Sequence, residues 1–380
     1  MAGILVVFGT RPEAIKLAPV VAALRSRGIP TRICVTAQHR ELLDRALGSG
    51  LTPDIDLNLM RPGQSLAVLT GRMVAALDRV FAAEQPERVI VQGDTATALA
   101  AAQAAYFRAI PIAHVEAGLR TGDLDAPHPE EGNRRMIGAV ADMHFAPTAA
   151  AAAALRNEGI AAERIHLTGN TVVDALHAVR ARLRRAPVLA GPARDLLDRC
   201  AGRRLILVTC HRRESFGAAP EIAAAIRALA TRPDVLVALP LHPNPAIRHP
   251  LENALRDTPN VALLDPLDFA PFVSLLSAAY LVLTDSGGVQ EEAPVLGTPV
   301  LVMRDVTERP EGVAAGTARL VGTRAQRIVS EACLLLDNPA AHARMARAHS
   351  PYGDGRAADR IVEIIAKTHD YGAAATAFAD

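Results

Sequence analysis

The sequence has no tryptophan, and only 3% of its residues are aromatic, so stacking platforms for single-stranded nucleic acid are not expected. It also lacks an excess of either charge. Its 41 Lys and Arg face 40 Asp and Glu, a formal +1, so no global field points to nucleic acid or to a membrane surface. An anionic ligand must therefore be met locally. Four cysteines, Cys34, Cys200, Cys210 and Cys333, are scattered through apolar runs without metal-ligand spacing, the pattern of reduced, buried, inert thiols. No hydrophobic run approaches a membrane span. The apolar start, residues 4–8, runs straight into Gly9-Thr10-Arg11-Pro12 and is too short for a secretory signal. A cytoplasmic protein is expected.

What is present is alternation. Short β-rich runs at 4–8, 31–36, 88–92, 112–115, 143–146 and 165–167 are separated by helical patterns at 13–26, 40–47, 65–83, 95–107, 130–140 and 149–157. A second set of strands at 205–209, 235–239, 261–264, 280–283, 300–303 and 319–321 follows the Arg- and Pro-rich stretch 180–192. Such alternation predicts an α/β protein of two doubly wound units, each a parallel sheet with helices on both faces. The boundary is placed near 169–192. In these sheets ligands bind beyond the carboxyl ends of the strands, and nearly every polar cluster here falls at such an end.

One of these clusters organises the rest: Thr284-Asp285-Ser286-Gly287-Gly288-Val289-Gln290-Glu291-Glu292. It reads as a strand end, a glycine turn and a helix start. Adjacent glycines allow close backbone approach, and N–H groups at a helix N-terminus suit a diphosphate. Ser286 adds a hydroxyl, and Glu292, one helical turn on, can accept from a ribose. An ordinary strand-to-helix turn with a solvated Glu pair explains the stretch equally well. Arg11 and Lys16 in Gly9-Thr10-Arg11-Pro12-Glu13-Ala14-Ile15-Lys16 offer two cations at another strand end, or simply solvated charges beside a helix start. Asp94 reads as a helix N-cap or an acid. Glu116 lies in His114-Val115-Glu116-Ala117-Gly118-Leu119-Arg120, and Glu130 and Glu131 open a helix whose dipole they favour in any case. Asp94, Glu116 and one of Glu130 or Glu131 leave the same sheet edge, where mutual repulsion and desolvation would raise their proton affinity. His211, beside Arg212 and Arg213, reads as a binding or charge-stabilising group. Arg309 adds a cation near the glycine turn.

Together, Gly9 to Lys16, His114 to Arg120, Thr168-Gly169-Asn170-Thr171, His211-Arg212-Arg213-Glu214 and Asp285 to Glu292 resemble the bacterial non-hydrolysing UDP-N-acetylglucosamine 2-epimerases, in order from Gly9 to about Gly322. The resemblance implies the glycosyltransferase-B fold, with two Rossmann-like domains facing across a cleft. Residues 1–170 would carry the catalytic acids, with a C-terminal helix at about 355–370 packing back, and residues 171–354 would bind UDP. It also implies a homodimer. Matched residue by residue, Ser286, Gly287 and Gly288 would hold phosphate, Glu292 the ribose and Phe272 a neighbouring part of the nucleotide. Arg11, Lys16, His211 and Arg309 would hold further parts of the substrate, and Asp94, Glu116 and Glu131 match the catalytic acids. Gln38, His39 and Arg40 match a region where the substrate itself acts as activator.

The implied reaction eliminates UDP from the sugar to leave 2-acetamidoglucal, then adds it back with protonation on the other face of C2. Carboxylates move the proton, and cations with glycine-backed N–H groups steady the diphosphate. Neither nicotinamide nor metal is required. Two departures touch binding rather than chemistry: Gln92 stands where relatives commonly carry His, and Leu267-Asp268 replaces a region that often carries a uracil-contacting Gln. Alternative readings are a hydrolysing epimerase, an epimerase of a UDP-diacetamido-uronate or UDP-6-deoxy sugar, a glycosyltransferase of the same fold, and a nucleotide-sugar sensing module. The sensing module would be expected to lose Asp94, Glu116 and Glu131, all of which are present.

Overall fold

The computed structural model describes residues 3–36, 51–61, 63–200, 202–347 and 350–368. They form two compact units, one built from the chain up to residue 175 and again from 352, the other from residues 176–351. In the first unit β1 (Ile4–Phe8), β2 (Thr31–Val35), β3 (Ile55–Asp56), β4 (Arg88–Gln92), β5 (Ile112–Val115), β6 (Met143–Ala146) and β7 (Ile165–Leu167) alternate with α1 (Arg11–Ser26), α2 (Leu66–Glu84), α3 (Ala96–Phe107), α4 (Glu130–Val140), α5 (Ala149–Asn157) and the start of α6 (Thr171–Arg185). The strands form one parallel sheet in the order β3-β2-β1-β4-β5-β6-β7.

The apolar run of β1 is buried on both faces, as an inner parallel strand must be. Ile4, Val6 and Phe8 pack with α1 on one side, while Leu5 and Val7 pack with α2 and α3 on the other, the period-two alternation of a strand.

The second unit contains α7 (Pro192–Cys200), β8 (Arg204–Thr209), α8 (Ala219–Ala230), β9 (Val235–Pro240), α9 (Pro245–Leu255), β10 (Val261–Leu264), α10 (Phe269–Ala278), β11 (Leu281–Thr284), α11 (Gly287–Val295), β12 (Val300–Val302), α12 (Pro310–Ala314), β13 (Ala318–Leu320), α13 (Ala325–Asp337) and α14 (Pro339–Ala346). Its sheet is parallel in the order β10-β9-β8-β11-β12-β13. The chain then re-enters the first unit, where α15 (Ala357–Thr368) packs on α1.

The Arg-rich stretch after residue 180 closes a helix. Arg182, Arg184 and Arg185 sit in the last turn of α6, where cations favour the helix dipole, and the boundary between the units falls inside that helix.

Both strand orders reverse direction once, between β1 and β4 and between β8 and β11. At such a switch point the two flanking loops leave the sheet in opposite directions and open a crevice at its carboxyl edge. In the first unit those loops lead to Thr10–Arg11 and to Asp94; in the second they lead to His211 and to Ser286. The polar clusters of the sequence are therefore delivered by topology to the ligand edge of each sheet.

Candidate active site

In the first unit Thr10 is the N-cap of α1. The Glu13 carboxylate accepts from the Gly9 N–H (3.1 Å), the Thr10 N–H (2.8 Å), the Thr10 hydroxyl (2.7 Å) and the Thr95 hydroxyl (2.8 Å). One buried side chain thus ties together the two turns that flank the switch point. Burial outweighs those four donors and lifts the Glu13 carboxyl to about 7. One turn along α1, Lys16 is ion-paired with Glu116, both buried. Glu116 also accepts from the Asn170 amide at 3.2 Å. Its backbone has φ +62°, a left-handed conformation costly for a non-glycine residue and typical of functional sites.

Asp94 follows β4, and its carboxylate accepts from Arg134 Nε at 2.7 Å. The same guanidinium donates to Glu131 at 3.0 Å. Glu131, 0% exposed, also accepts from the Thr121 and Gly122 N–H groups at 3.1 and 3.3 Å and from Arg135 Nε at 3.4 Å. Glu131 therefore pins the loop after β5 to the first turn of α4. Its neighbour Glu130 is the half-buried member of the pair. Glu116, Asp94 and Glu131 each hold a cation, which offsets the mutual repulsion expected from the sequence. Arg11, first residue of α1, is half-buried. Gln38, His39 and Arg40 lie outside the described residues.

In the second unit Ser286 is the N-cap of α11, and Gly287 and Gly288 are its first two residues rather than a turn. Neither has a positive φ. A Cβ on Gly287 would lie 2.8 Å from Arg309 Nη1 and 2.9 Å from Glu308 Oε1, so any side chain there must push the ion-paired ends of Arg309 and Glu308 aside. A Cβ on Gly288 would meet only Glu292 Oε1 at 3.6 Å and Ser286 Oγ at 4.0 Å. Ser286, Gly288 and Glu292 are half-buried whereas Asp285, Gly287 and Glu291 are buried. The hydroxyl, the glycine and the carboxylate therefore share the open face of the helix start.

Behind that face is a buried ion cluster. Glu308 accepts from Arg212 (2.5 Å) and Arg304 (2.7 Å), with Arg309 at 2.8 Å, and Arg309 Nε donates to Glu291 at 2.9 Å. Burial opposes the Glu308 charge, but Arg309, Arg212 and Arg304 outweigh it and hold the carboxyl well below its usual range. Three guanidiniums are thus gathered beside the helix N-terminus, each paired with a buried carboxylate, and cations with helix-start N–H groups are the kind of donors a diphosphate uses. Asp285 accepts from the His211 and Arg212 N–H groups, both at 2.9 Å, and His211 Nδ1 lies 3.4 Å from its other oxygen. Phe272 is partly buried on α10. Among the described residues no group of three His, Cys, Asp or Glu is placed to hold a metal, and no helix is long and apolar enough to cross a membrane.

The model of the UDP-N-acetylglucosamine 2-epimerase family matches residues 22–366. The chain belongs to that family. The UDP-N-acetylglucosamine 2-epimerase of Escherichia coli K12 is 50% identical over 369 residues, spanning 95% of this chain and 98% of that protein. The Neisseria meningitidis UDP-GlcNAc 2-epimerase bound to UDP-GlcNAc superposes with TM-score 0.91 at 43% identity, covering 96% of this chain and 99% of that one. The Methanocaldococcus jannaschii UDP-GlcNAc 2-epimerase in complex with UDP-GlcNAc and UDP gives 0.84 at 31% identity, covering 96% and 99%. The expected α/β class, two parallel sheets with flanking helices in a glycosyltransferase-B-like two-domain fold, is what this family member shares with those structures.

For this epimerase-family chain, reading the sequence missed Glu13, Arg134, Asn170 and Glu308 as site-building groups. Asn170 reaches a carboxylate 54 positions away and Arg212 reaches Glu308 across 96, so only the fold reveals either partnership. Arg134 had a local signal, its i,i+3 spacing from Glu131.

Proposed function

We propose that the chain interconverts UDP-N-acetylglucosamine and UDP-N-acetylmannosamine without net hydrolysis. The observation that carries this is the helix start at Ser286, Gly288 and Glu292 backed by the Arg212–Arg304–Arg309 cluster, in a chain 43% identical to a relative bound to UDP-GlcNAc. The second unit supplies the diphosphate site, with Arg309 among its cations and His211 as a neighbouring polar group, while Arg11 and Lys16 are the substrate-matched cations of the first unit. In the forward step a carboxylate takes the C2 proton, the C1–O bond breaks with its electron pair leaving on UDP, and a C1=C2 double bond forms. In the return step UDP oxygen attacks C1, and a proton is delivered to C2 from the opposite face. Asp94, steered by Arg134, and Glu116, steered by Lys16 and Asn170, are the acid–base groups. Glu131 holds Asp94 in place through Arg134, and Glu130 is the member of that pair open to a ligand. Activation by the substrate is assigned to Gln38, His39 and Arg40.

The test is proton NMR with UDP-N-acetylglucosamine in deuterated water. Deuterium at C2 with growing UDP-N-acetylmannosamine is expected. Free N-acetylmannosamine with UDP would place the chain among hydrolysing epimerases, and saturable UDP binding without exchange would remove this substrate.

The same reading includes a homodimer through α2 and α3. Leu66, Val68, Tyr106 and Phe107 project there, Phe107 at 73% exposed, beside an open groove of about 750 Å³ lined by Leu66, Thr70, Val74, Gln103 and Phe107. A face carrying both a projection and a hollow suits an isologous interface. Light scattering should give twice the chain mass for the wild type and a lower mass for Phe107→Asp; a monomeric wild type would exclude the dimer.

A further inference from the structure

Asp285 is fully buried at the carboxyl end of β11. One oxygen is saturated by the His211 and Arg212 backbone N–H groups, each at 2.9 Å. The other, Oδ1, is buried without a hydrogen-bond partner, 3.4 Å from His211 Nδ1. A buried carboxylate oxygen without a donor is costly, and a small rotation of the imidazole supplies one. The His211 side chain is 39% exposed, so part of the ring is open to a ligand. We propose that Asp285 is the positioning residue of His211: it holds the imidazole as the Nδ1–H tautomer and leaves Nε2 outward as the group that meets substrate.

Other groups around the ring are consistent with this. His242 stacks on His211 with centroids 5.9 Å apart and accepts the Asn244 N–H on its own Nδ1 at 3.2 Å, so that nitrogen is not a donor to Asp285. Arg212 and Arg304 are the nearby cations; burial and those charges push the His211 imidazole down while Asp285 alone pushes it up. The Cys210 thiol, raised by burial, by the Asp285 charge and by a hydrogen bond to that carboxylate, stays protonated; being only a weak donor, it leaves the imidazole N–H as the stronger partner for Asp285.

Asp285→Asn separates positioning from packing. The asparagine oxygen can still take both backbone N–H groups, so its NH2 faces Nδ1, which must then be the lone-pair nitrogen. The proton moves to Nε2, and the outward atom changes from acceptor to donor. In long-range proton–nitrogen correlation spectra of histidine-labelled protein, with His211 assigned by its loss in His211→Gln, neutral His211 should be Nδ1–H in the wild type. In Asp285→Asn it should be Nε2–H and titrate at lower pH. A wild-type Nε2–H tautomer, or the same tautomer in both proteins, overturns the assignment; the wild-type spectrum alone suffices if the variant does not fold. The kinetic consequence rests on the epimerase reading: kcat falls about 100-fold while UDP affinity changes less than about three-fold. A tautomer switch in a chain that forms no epimer keeps Asp285 in this role and removes the reaction. Epimer formation with a wild-type Nε2–H tautomer does the reverse.

Discussion

Two buried glutamates at the ligand edges are stabilised in opposite ways, and the difference is measurable. Glu308 is surrounded by three guanidiniums and keeps its charge. The donors to Glu13 are two N–H groups and two hydroxyls, none of them a cation, and burial raises its carboxyl from 4.5 to about 7. The folded state therefore binds a proton more tightly than the unfolded state. The stability from Glu13 is full below the unfolded pKa and is lost as pH rises through about 7. The shift bounds the effect at about 3 kcal/mol. Glu13→Gln, neutral throughout, should accordingly gain on the wild type between pH 5 and pH 8. Thermal melts of both proteins across that range check it, and a pH-independent difference would show that Glu13 keeps its charge. From the sequence Glu13 is only part of a helix start, because the hydroxyl that shows its role, on Thr95, is 82 positions away.

At the scale of the element, α11 shows how far a motif can be read and where reading stops. The sequence places a strand, glycines and a helix in order, and the chain has them. Residue types alone do not reveal that the helix has already begun at Gly287, or that its glycines answer different demands. Gly287 is fixed by the Arg309 and Glu308 side chains against it, and Gly288 by open space on the Ser286 and Glu292 face. Substituting each with alanine should therefore diverge. Gly288→Ala should hold or raise stability, by up to about 1 kcal/mol, while weakening UDP, because the new methyl stands where a phosphate would approach. Gly287→Ala must displace Arg309 from two carboxylates and should lose stability as well as UDP. Melting temperature with UDP titration calorimetry separates them; equal losses of stability would contradict the geometry. The continuous apolar runs made the parallel strands legible. The two-residue β3 and the arginine-rich end of α6 were not, since one is too short to show a period and the other has the composition of a linker.

At the scale of the whole chain, the first unit is completed only by α15, contributed from beyond the second unit, and that completion reaches the chemistry. After the second unit, Tyr352 returns to accept the Asn170 N–H at 2.8 Å, and a Cβ on Gly169 or Gly353 would come within 3.3 or 3.1 Å of the other's Cα. Asp174 receives the Ala357 and Ala358 N–H groups at 3.2 and 2.9 Å, capping α15 from a residue far back in the chain. Ile361, Val362 and Ile365 complete the core against α1. Asn170 is thereby held from behind by the returning segment while its amide donates to Glu116. Ile361→Ala should cost about 2–5 kcal/mol, the range for a fully buried large-to-small change. Because the clamp and the core share one segment, hydrogen exchange should quicken together in α15, in α1 and around Asn170, while β8 and β11 of the second unit keep their protection. Faster exchange in α15 alone, with Asn170 unaffected, would separate closure from the site. If the three move together, loosening the last helix should lower kcat before it abolishes folding, since Glu116 loses its amide partner when Asn170 is released.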